Sequence, residues 1–328
     1  MGGRWIEAIG GDRDVIFDLA SVTKPMVALA WARLGLPRGR SMESFVEEAR
    51  GTHAGPLPAE LFLAHRAGLE AHGKLWLPLL EGRLVDRSEA LRTAATWRRS
   101  DLEPTASPPF SPVYSDLGYM LAGEALARAT GAPADEVVDE VIASALDARP
   151  ILGSARLLEA RGVPLRDIAA PTEIVPWRDD GLAVRGRVHD ENAWALSPDG
   201  VQGHAGLFGT ALAVLRFGIA VADALGGRAS ALAPKHGDLR WMVEPRPGGS
   251  LRAGFDGKSR EGSSAGTVLG PRTFGHLGFT GTSVWIDPDA DVVVTLLTNR
   301  VHPSRDNVKI RAARPLAHDE LAREALRR

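Results

Sequence analysis

An unusually apolar helix near the start of the chain constrains the fold more than any other segment. Residues 21–35 predict this helix, which is apolar on nearly all sides and ends at Gly35 and Pro37. A helix without a wide polar face has to be covered by other elements of the protein. The sequence therefore predicts a packed core that contains this helix, and it shows no internal repeat that would indicate a solenoid.

The same helix opens with two polar residues, Ser21 and Lys24, three positions apart and therefore on one face. A serine hydroxyl is a poor nucleophile unless a neighbouring group takes its proton. A lysine that is partly buried loses some of its preference for the charged form and can take that proton. The other interpretation of Ser-x-x-Lys is an N-cap serine followed by a surface lysine, and the motif alone does not decide between them.

The composition excludes several classes of protein. The 328 residues are 44% hydrophobic and carry a net charge of −2, which allows a large core in one domain or two intertwined ones and gives no argument for nucleic-acid binding. The absence of cysteine excludes disulfides, thiol catalysis and thiolate metal sites. No apolar run reaches about 18 residues, so no membrane span is expected. The first ten residues show no signal peptide, which predicts a cytoplasmic protein as written, or a periplasmic or secreted one if the true N-terminus is longer.

The first two thirds of the chain is mainly helical in its periodicity. Beyond the first helix, the pattern predicts helices over residues 57–64, 84–98, 135–146 and 206–226, with a terminal helix over 308–327. Residues 4–9 predict a short strand. Residues 150–205 have little periodicity and predict long loops, which are usually functional or inserted.

The last quarter of the chain changes character. Residues 274–287 and 291–299 are rich in β-branched side chains and are joined by a turn sequence, which predicts a hairpin. Residues 292–298 are apolar without alternation, as in a strand covered on both faces. This order predicts an α+β fold: an antiparallel sheet formed by both chain ends and flanked by helices, with a mostly helical lobe inserted.

Two further segments complete a pattern with Ser-x-x-Lys. Tyr114-Ser115-Asp116 stands at the start of a predicted helix, in a chain with only two tyrosines, and His276-Leu277-Gly278 lies on a predicted strand. In this order and at this spacing, the motifs resemble those of the serine β-lactamase and penicillin-binding-protein superfamily. The resemblance is closest to the branch that holds class C β-lactamases, D-amino-acid peptidases and β-lactamase-like esterases. It runs from about Phe17 to the end, and 64–69, 188–192 and 203–208 look like secondary signatures of the same branch.

The resemblance implies a domain organisation. It predicts a single β-lactamase-like catalytic domain over residues 1–328, with its sheet region at about 1–20 and 206–328 and its helical lobe at about 36–205. Only 20 residues precede Ser21, where the family usually has an extra helix and strand, so we expect either that the recorded start is too late or that the N-terminal edge of the domain is shortened.

The resemblance also implies a reaction, the hydrolysis of an ester or amide through a covalent acyl-enzyme. Ser21 is then the nucleophile, and Lys24 and Tyr114 share its proton as general base and general acid. The backbone N–H groups of Ser21 and Phe279 are expected to hold the oxyanion. The residues implied in substrate binding are Asp116, His276, Gly278, Phe279 and His204. The expected partner is a small molecule or short peptide, with no cofactor and no metal, and no pattern indicates an oligomeric state.

Two departures from the family pattern bear on the substrate. His276 and Leu277 stand where the family commonly has lysine and threonine, so a fixed positive charge and a hydroxyl for a substrate carboxylate are missing. Asp116 replaces the family's asparagine and can pair with Lys24, which would raise the pKa of the lysine and move the base role towards Tyr114. Both changes favour an esterase or a peptidase-like amidase over an efficient β-lactamase.

Three other interpretations were weighed. Gly262-Ser-Ser-Ala-Gly266 matches the nucleophile elbow of α/β-hydrolases, with Ser264 as nucleophile, but it lies in a loop-like sequence without the required strand and helix. The second is a metal site formed by residues 189–191 and His204, whose side chains are of types that bind metals. A hydrogen-bonded loop that lines the pocket is the favoured interpretation of these residues. The third is a catalytically weak binding protein or sensor, which is disfavoured because all three catalytic positions hold competent residues.

Overall fold

A computed structural model describes residues 5–235 and 237–327 as a mixture of α-helices and short antiparallel strands. The helices are α1 (Thr23–Arg33), α2 (Ala59–Leu63), α3 (Arg87–Thr96), α4 (Asp116–Thr130), α5 (Ala134–Val138), α6 (Ala155–Ala160), α7 (Leu165–Ile168), α8 (Glu191–Leu196), α9 (Ala211–Leu225), α10 (Arg240–Val243) and α11 (Ile310–Arg327). The strands are β1 (Phe17–Asp18), β2 (Leu152–Ser154), β3 (Leu207–Gly209), β4 (Asp256–Gly257), β5 (Phe274–Leu277), β6 (Ser283–Asp287) and β7 (Val292–Leu296). The predicted α+β class is confirmed.

The larger sheet has the order β4-β5-β6-β7 and is antiparallel throughout. On one face α9 approaches closely at Gly218, where an added Cβ would lie 2.6 Å from Cγ1 of Val293. On the other face Ala322 of α11 packs in one apolar cluster with Val292 and Val294. The prediction that this segment is a strand covered on both faces is therefore confirmed.

The N-terminal end contributes to a different sheet from the one expected. β1 pairs with β3, which pairs with β2, in a separate three-stranded antiparallel sheet. The strand predicted at 4–9 is wrong over residues 5–9, and residue 4 lies outside the described residues. Residues 5–12 instead run beside the outer edge of β7 and form an apolar groove with it, without a strand ladder.

The predicted helices are present, although several boundaries differ. α1 is buried from Thr23 to Trp31, as its apolar sequence predicts. Residues 150–205 contain β2, α6, α7 and α8, elements of three to six residues that are too short to leave a periodic pattern. The predicted strand at 274–287 is interrupted by a turn at 278–282, which separates β5 from β6. None of the helices in the described ranges has the length and apolarity needed to cross a membrane.

Candidate active site

Ser21 is positioned by a tight turn at the entrance to α1. It lies in a 3₁₀ turn over Ala20–Val22 that runs directly into the helix. Ala20 has a φ of +45°, a conformation that is strained for a residue with a Cβ. The carboxylate of Asp18 holds this turn by accepting a hydrogen bond of 2.7 Å from the Ala20 N–H. The strained backbone therefore presents Ser21 next to the N-terminus of a buried helix, and sequence reasoning had missed the role of Asp18.

Lys24 is fully buried, and its ammonium contacts three oxygen atoms. Its Nζ donates to Ser21 Oγ at 2.9 Å, to Asp116 Oδ1 at 2.6 Å and to the His204 carbonyl at 3.1 Å. A lysine ammonium has three donors, so this environment satisfies all of them. The pairing of Lys24 with Asp116 that the sequence suggested is present.

The charges of Lys24 and Asp116 depend on each other. Burial lowers the pKa of Lys24, and Asp116 opposes this by favouring the ammonium. Burial alone would raise the pKa of Asp116, but Lys24 and the hydrogen bond from His72 hold that pKa well below its usual range. Asp116 therefore raises the pKa of Lys24, as the sequence suggested, but burial lowers it by more. The net pKa lies below the ordinary value for lysine, which favours Lys24 as a base.

Tyr114 stands just before α4, whose N-cap is Ser115. Its ring centre lies 4.7 Å from Lys24 Nζ and 4.7 Å from the ring of His65, which stacks on it. Burial raises the pKa of Tyr114 well above its ordinary value of 10 and nearby carboxylates add to this, while the neighbouring Ser21 hydroxyl partly opposes the increase. Tyr114 is thus a neutral phenol beside Ser21 and Lys24 in the resting protein.

A turn between β5 and β6 is fastened to the segment that precedes Ser21. Thr280 Oγ1 donates to the Asp18 carbonyl at 2.7 Å, and Thr282 Oγ1 donates to the Leu19 carbonyl at 2.9 Å. Gly278 fits between them, since an added Cβ would lie 2.0 Å from Thr282 Oγ1 and 2.5 Å from the Leu19 oxygen. These contacts give the two threonines a structural role at this end of the strand.

Phe279 projects from that turn with 47% of its surface exposed. Its ring lies between His189, at 5.7 Å between ring centres, and the Arg300 guanidinium, at 4.2 Å. Its carbonyl accepts a hydrogen bond of 2.7 Å from Arg300 Nε, while its N–H donates to no acceptor within the described ranges. A free N–H on a residue that lines the same cavity as Ser21 is the kind of donor that an oxyanion requires.

His276 is close to Tyr114 but carries no charge. Its ring centre lies 5.9 Å from that of Tyr114, and its Nδ1 is 2.8 Å from the Leu277 carbonyl. Burial, and secondarily the charge of Lys24, lowers the pKa of His276 to about 3. It therefore does not replace the positive charge of the strand lysine that the family commonly has.

The ring of His204 lies in the interior rather than facing the cavity. It is 1% exposed, with Nε2 at 2.8 Å from Asp190 Oδ1 and Nδ1 at 2.7 Å from the Gln202 carbonyl. Because both ring nitrogens are engaged there, the structure does not support the predicted contact of this side chain with substrate. The residue reaches the site through its carbonyl, which accepts the hydrogen bond from Lys24.

The geometry disfavours the two competing sites. His189 Nε2 pairs with Glu173 Oε2 at 3.2 Å and Glu191 pairs with Arg305, and no group of metal-ligating side chains was found in residues 5–235 and 237–327. Ser264 lies in a loop that is not preceded by a strand or followed by a helix, as an elbow would be. Its carbonyl serves as an acceptor for the buried His318 ring.

A cavity of about 780 Å³ joins the predicted site residues. Ser21, Tyr114, Asp116, His276, Gly278 and Phe279 all line it. Sequence reasoning missed five further charged residues in its wall, which are Asp256, Arg300, Arg305, Arg311 and Arg314. Nothing in the sequence distinguishes these arginines from the many others in a chain with 39 basic residues.

Three of the four arginines are already engaged. Arg300 bonds the Phe279 carbonyl, Arg305 pairs with two glutamates, and Arg314 donates to the Gly278 and Thr282 carbonyls. Arg311 is exposed and has no ion pair or hydrogen bond from its side chain within the described part of the chain. It is therefore available to a negatively charged group in the cavity.

The comparison with known families agrees with this arrangement. The model of the family described as Beta-lactamase matches residues 4–318. This chain belongs to the Beta-lactamase family. The family membership confirms the resemblance noted from the motifs.

Individual relatives are more distant. A putative D-alanyl-D-alanine carboxypeptidase of Escherichia coli K12 is 29% identical over 262 residues, which cover 73% of this chain and 56% of the relative. The chain thus spans little more than half the length of that relative. A penicillin-binding-protein homologue of Caulobacter crescentus aligns with a TM-score of 0.64 at 21% identity, covering 95% of this chain and 84% of the other. EstCE1, a hydrolase with promiscuous acyltransferase activity, aligns with a TM-score of 0.64 at 20% identity, covering 93% and 86%. The structural matches establish the fold.

Proposed function

We propose that this Beta-lactamase family member hydrolyses an ester or amide through an acyl-enzyme on Ser21. The observation that carries the proposal is that the buried Lys24 contacts Ser21 and lies beside Tyr114, and that Ser21 and Tyr114 line one cavity. Lys24 Nζ lies 2.9 Å from Ser21 Oγ, and Tyr114 lines the same cavity as Ser21 with its ring centre 4.7 Å from Lys24 Nζ. A nucleophile next to two groups that exchange protons is the arrangement that covalent catalysis needs.

The proposed chemistry follows from the protonation states. Ser21 Oγ attacks the carbonyl carbon while its proton passes to the Lys24–Tyr114 unit, which then protonates the leaving group. The N–H groups of Ser21 and Phe279 stabilise the oxyanion of the tetrahedral intermediate. Water then attacks the acyl-enzyme, and the same unit accepts the proton of the water and returns one to Ser21 Oγ.

The proposed substrate is a small ester or a short peptide-like amide rather than a β-lactam. Because His276 is neutral and Leu277 is apolar, strand β5 lacks the cation and the hydroxyl that hold a β-lactam carboxylate in the family. Arg311 is an unpaired cation elsewhere in the wall of the cavity. The proposed substrates therefore include esters and amides that carry a carboxylate. The carboxypeptidase name of the relatives and the hydrolase title of EstCE1 support this range of substrates.

A panel of short-chain p-nitrophenyl esters, nitrocefin and D-alanyl amides tests the proposal. Ser21→Ala should lower kcat/KM at least a hundredfold, or about 2.7 kcal/mol of barrier, while the circular dichroism spectrum is unchanged. Ser264→Ala, which changes the competing serine, should keep wild-type activity. Retention of more than about one part in a hundred by Ser21→Ala would contradict the assignment.

A binding protein or sensor without turnover is the second candidate. A fluorophosphonate probe separates the two, because it requires an activated nucleophile. The proposal predicts labelling at Ser21 that Ser21→Ala abolishes and Ser264→Ala retains. An unlabelled wild-type protein would favour the binding role.

A further inference from the structure

Asp18 is a buried carboxylate at the end of β1, three residues before Ser21. Its surface is 2% exposed, and no lysine or arginine in the described ranges pairs with it. Burying a charge without a cationic partner is costly unless its oxygen atoms are hydrogen-bonded. The groups bonded to this carboxylate therefore indicate what it positions.

The two carboxylate oxygens accept hydrogen bonds from two different segments of backbone. Oδ1 accepts from the Ala20 N–H at 2.7 Å, and Oδ2 accepts from the His189 N–H at 2.7 Å. Burial raises the pKa of Asp18, and these two bonds oppose the increase because they favour the ionised form. An ionised carboxylate has an acceptor for each of the two donors, whereas a neutral amide of the same shape has only one.

The bond to Ala20 fixes the direction of the Ser21 N–H. Ala20 separates the two N–H groups, and its φ of +45° is a conformation that a residue with a Cβ rarely adopts. Because each peptide group is planar, holding the Ala20 N–H and this backbone conformation sets where the next N–H points. Without the carboxylate, the strained turn is free to relax and to carry the Ser21 N–H with it.

The same residue holds the turn that carries Phe279. The Asp18 carbonyl accepts the hydrogen bond of 2.7 Å from Thr280 Oγ1, one residue after Phe279. His189, whose N–H is bonded to Oδ2, stacks its ring on that of Phe279 with 5.7 Å between the ring centres. Asp18 is therefore bonded to the neighbours of both N–H groups that are proposed to hold the oxyanion, although the two lie in segments distant in sequence.

We propose that Asp18 is the positioning residue of the oxyanion hole, an inference that rests on the proposed hydrolase function. Its carboxylate directs the Ser21 N–H, and its carbonyl holds the Phe279 turn against the segment before Ser21. Asp18 does not line the cavity, so it acts through these backbone groups and not on the substrate. Donors placed in advance stabilise charge that develops only in the transition state, so a loss of their position lowers kcat more than it weakens substrate binding.

Asp18→Asn tests this role with the smallest change in shape. One of the two bonded N–H groups then faces the amide nitrogen instead of an acceptor. Removing one oxyanion-hole donor typically lowers kcat about 100- to 1,000-fold, so displacing one should lower kcat for p-nitrophenyl butyrate at least tenfold. KM should stay within about threefold. A smaller loss of kcat, or a loss that appears mainly in KM, overturns the proposal.

Asp287→Asn is the matched control. Asp287 is equally buried and also accepts backbone N–H groups, but it lies at the far end of β6 and does not line the cavity. Its donors are Gly270 and the β6–β7 turn residues Asp289 and Ala290. This variant should lose stability in urea unfolding and keep kcat within about threefold. An equal loss of kcat in both variants would overturn the proposal, because general destabilisation would then explain the effect of Asp18→Asn.

A trifluoromethyl ketone measures the oxyanion hole itself. Ser21 Oγ forms a bond to the ketone carbon, the serine proton passes to the Lys24–Tyr114 unit, and the carbonyl electron pair becomes an oxyanion. The inhibition constant of butyl trifluoromethyl ketone should rise at least tenfold in Asp18→Asn. That of butyl methyl ketone, which forms little adduct, should change less than threefold. Equal changes for the two ketones would contradict a role in oxyanion stabilisation.

Thr280→Val tests the second contact and decides the question if Asp18→Asn does not fold. It removes the hydroxyl bonded to the Asp18 carbonyl and should raise the inhibition constant of the trifluoromethyl ketone at least fivefold. Thr172→Val, its control, removes a buried hydroxyl that donates to the Val184 carbonyl at 3.0 Å, and it should change that constant less than twofold. A rise below fivefold in Thr280→Val, or an equal rise in both variants, counts against the proposal.

The same assays separate this inference from the proposed function. If ester hydrolysis is absent or survives Ser21→Ala, the proposed function fails. Ser21-dependent hydrolysis with a wild-type kcat in Asp18→Asn rejects the role of Asp18 alone.

Discussion

Lys24 and Asp116 form a buried ion pair in which Nζ lies 2.6 Å from Oδ1 and, at the same time, 2.9 Å from Ser21 Oγ. One ammonium therefore connects Ser21, the proposed nucleophile, to a carboxylate at the start of α4. A change in the charge of Asp116 changes the pKa of Lys24, the group proposed to take the proton of Ser21.

Asp116→Asn should move the acidic limb of the kcat/KM–pH profile to lower pH. The carboxylate raises the pKa of Lys24, so its removal lets burial lower that pKa further, and a neutral lysine forms at lower pH. The profile of a neutral p-nitrophenyl ester, measured for both proteins and for Asp289→Asn as a control, checks the shift. A limb that stays in place or moves to higher pH would show that Lys24 does not act as the neutral base.

The same pair has a predictable effect on stability. The pKa of Asp116 is lower in the folded protein than in the unfolded chain, where it is about 3.9. The pair therefore stabilises the fold at pH values above about 3.9, and this contribution is lost as the pH falls towards the pKa of Asp116 in the folded protein. Asp116→Ala removes one partner of a buried pair, which typically costs about 3–5 kcal/mol. Urea unfolding at neutral pH should show a loss of that order. A loss below about 1 kcal/mol would mean that Lys24 readily gives up its proton or reaches water.

Lys24 and Tyr114 are expected to act as one proton-handling unit with Ser21. Groups that act together show non-additive losses, so Lys24→Ala, Tyr114→Phe and the double variant should have similarly low kcat/KM. A double-mutant cycle on an ester substrate measures this. Fully additive losses would indicate independent roles. Tyr119→Phe is the control: Tyr119 is buried, donates its hydroxyl to the Leu63 carbonyl and does not line the cavity.

The three candidate catalytic residues could be selected from the sequence because they lie in short motifs with fixed spacing. Ser21 and Lys24 are one helical turn apart, and Tyr114 directly precedes a predicted helix. The contacts of Asp18 with His189 and Thr280 were not predictable, because they join segments distant in sequence. A single aspartate in a loop-like sequence carries no sign of which strand it will face.

In the fold, too, elements with a local sequence pattern were predictable, and pairings between distant segments were not. The long apolar helix and the β-branched strands were predictable because each presents a local pattern of many residues. The pairing of β1 with β3 was not, because two- and three-residue strands carry no measurable alternation. The turn at Gly278 was not predictable either, because Thr280 and Thr282 hold it to the carbonyls of Asp18 and Leu19, which are distant in sequence.

Gly278→Ala should impair the proposed oxyanion hole. The new Cβ would lie 2.0 Å from Thr282 Oγ1 and 2.5 Å from the Leu19 carbonyl, which belongs to the backbone and cannot turn aside. The turn carrying Phe279 must then move away from Ser21, and we expect kcat to fall at least tenfold with a stability loss of about 1–3 kcal/mol. Gly39→Ala, where an added Cβ meets nothing within 4 Å, should change neither quantity. Wild-type kcat in Gly278→Ala would show that this close approach does not position the turn.

Ester hydrolysis should exceed β-lactam hydrolysis, because His276 is neutral and Leu277 lacks a hydroxyl. We expect kcat/KM for p-nitrophenyl butyrate to exceed that for nitrocefin, and a higher value for nitrocefin would overturn this expectation.

The double change His276→Lys with Leu277→Thr introduces a cation and a hydroxyl on β5 and should raise the affinity for nitrocefin, measured as a lower KM. Arg311→Ala should raise the KM of nitrocefin and leave that of the uncharged ester unchanged. If the β5 variant has no effect while Arg311→Ala does, the start of α11 controls carboxylate binding; if neither changes the KM, the loops of residues 150–205 exclude the β-lactam.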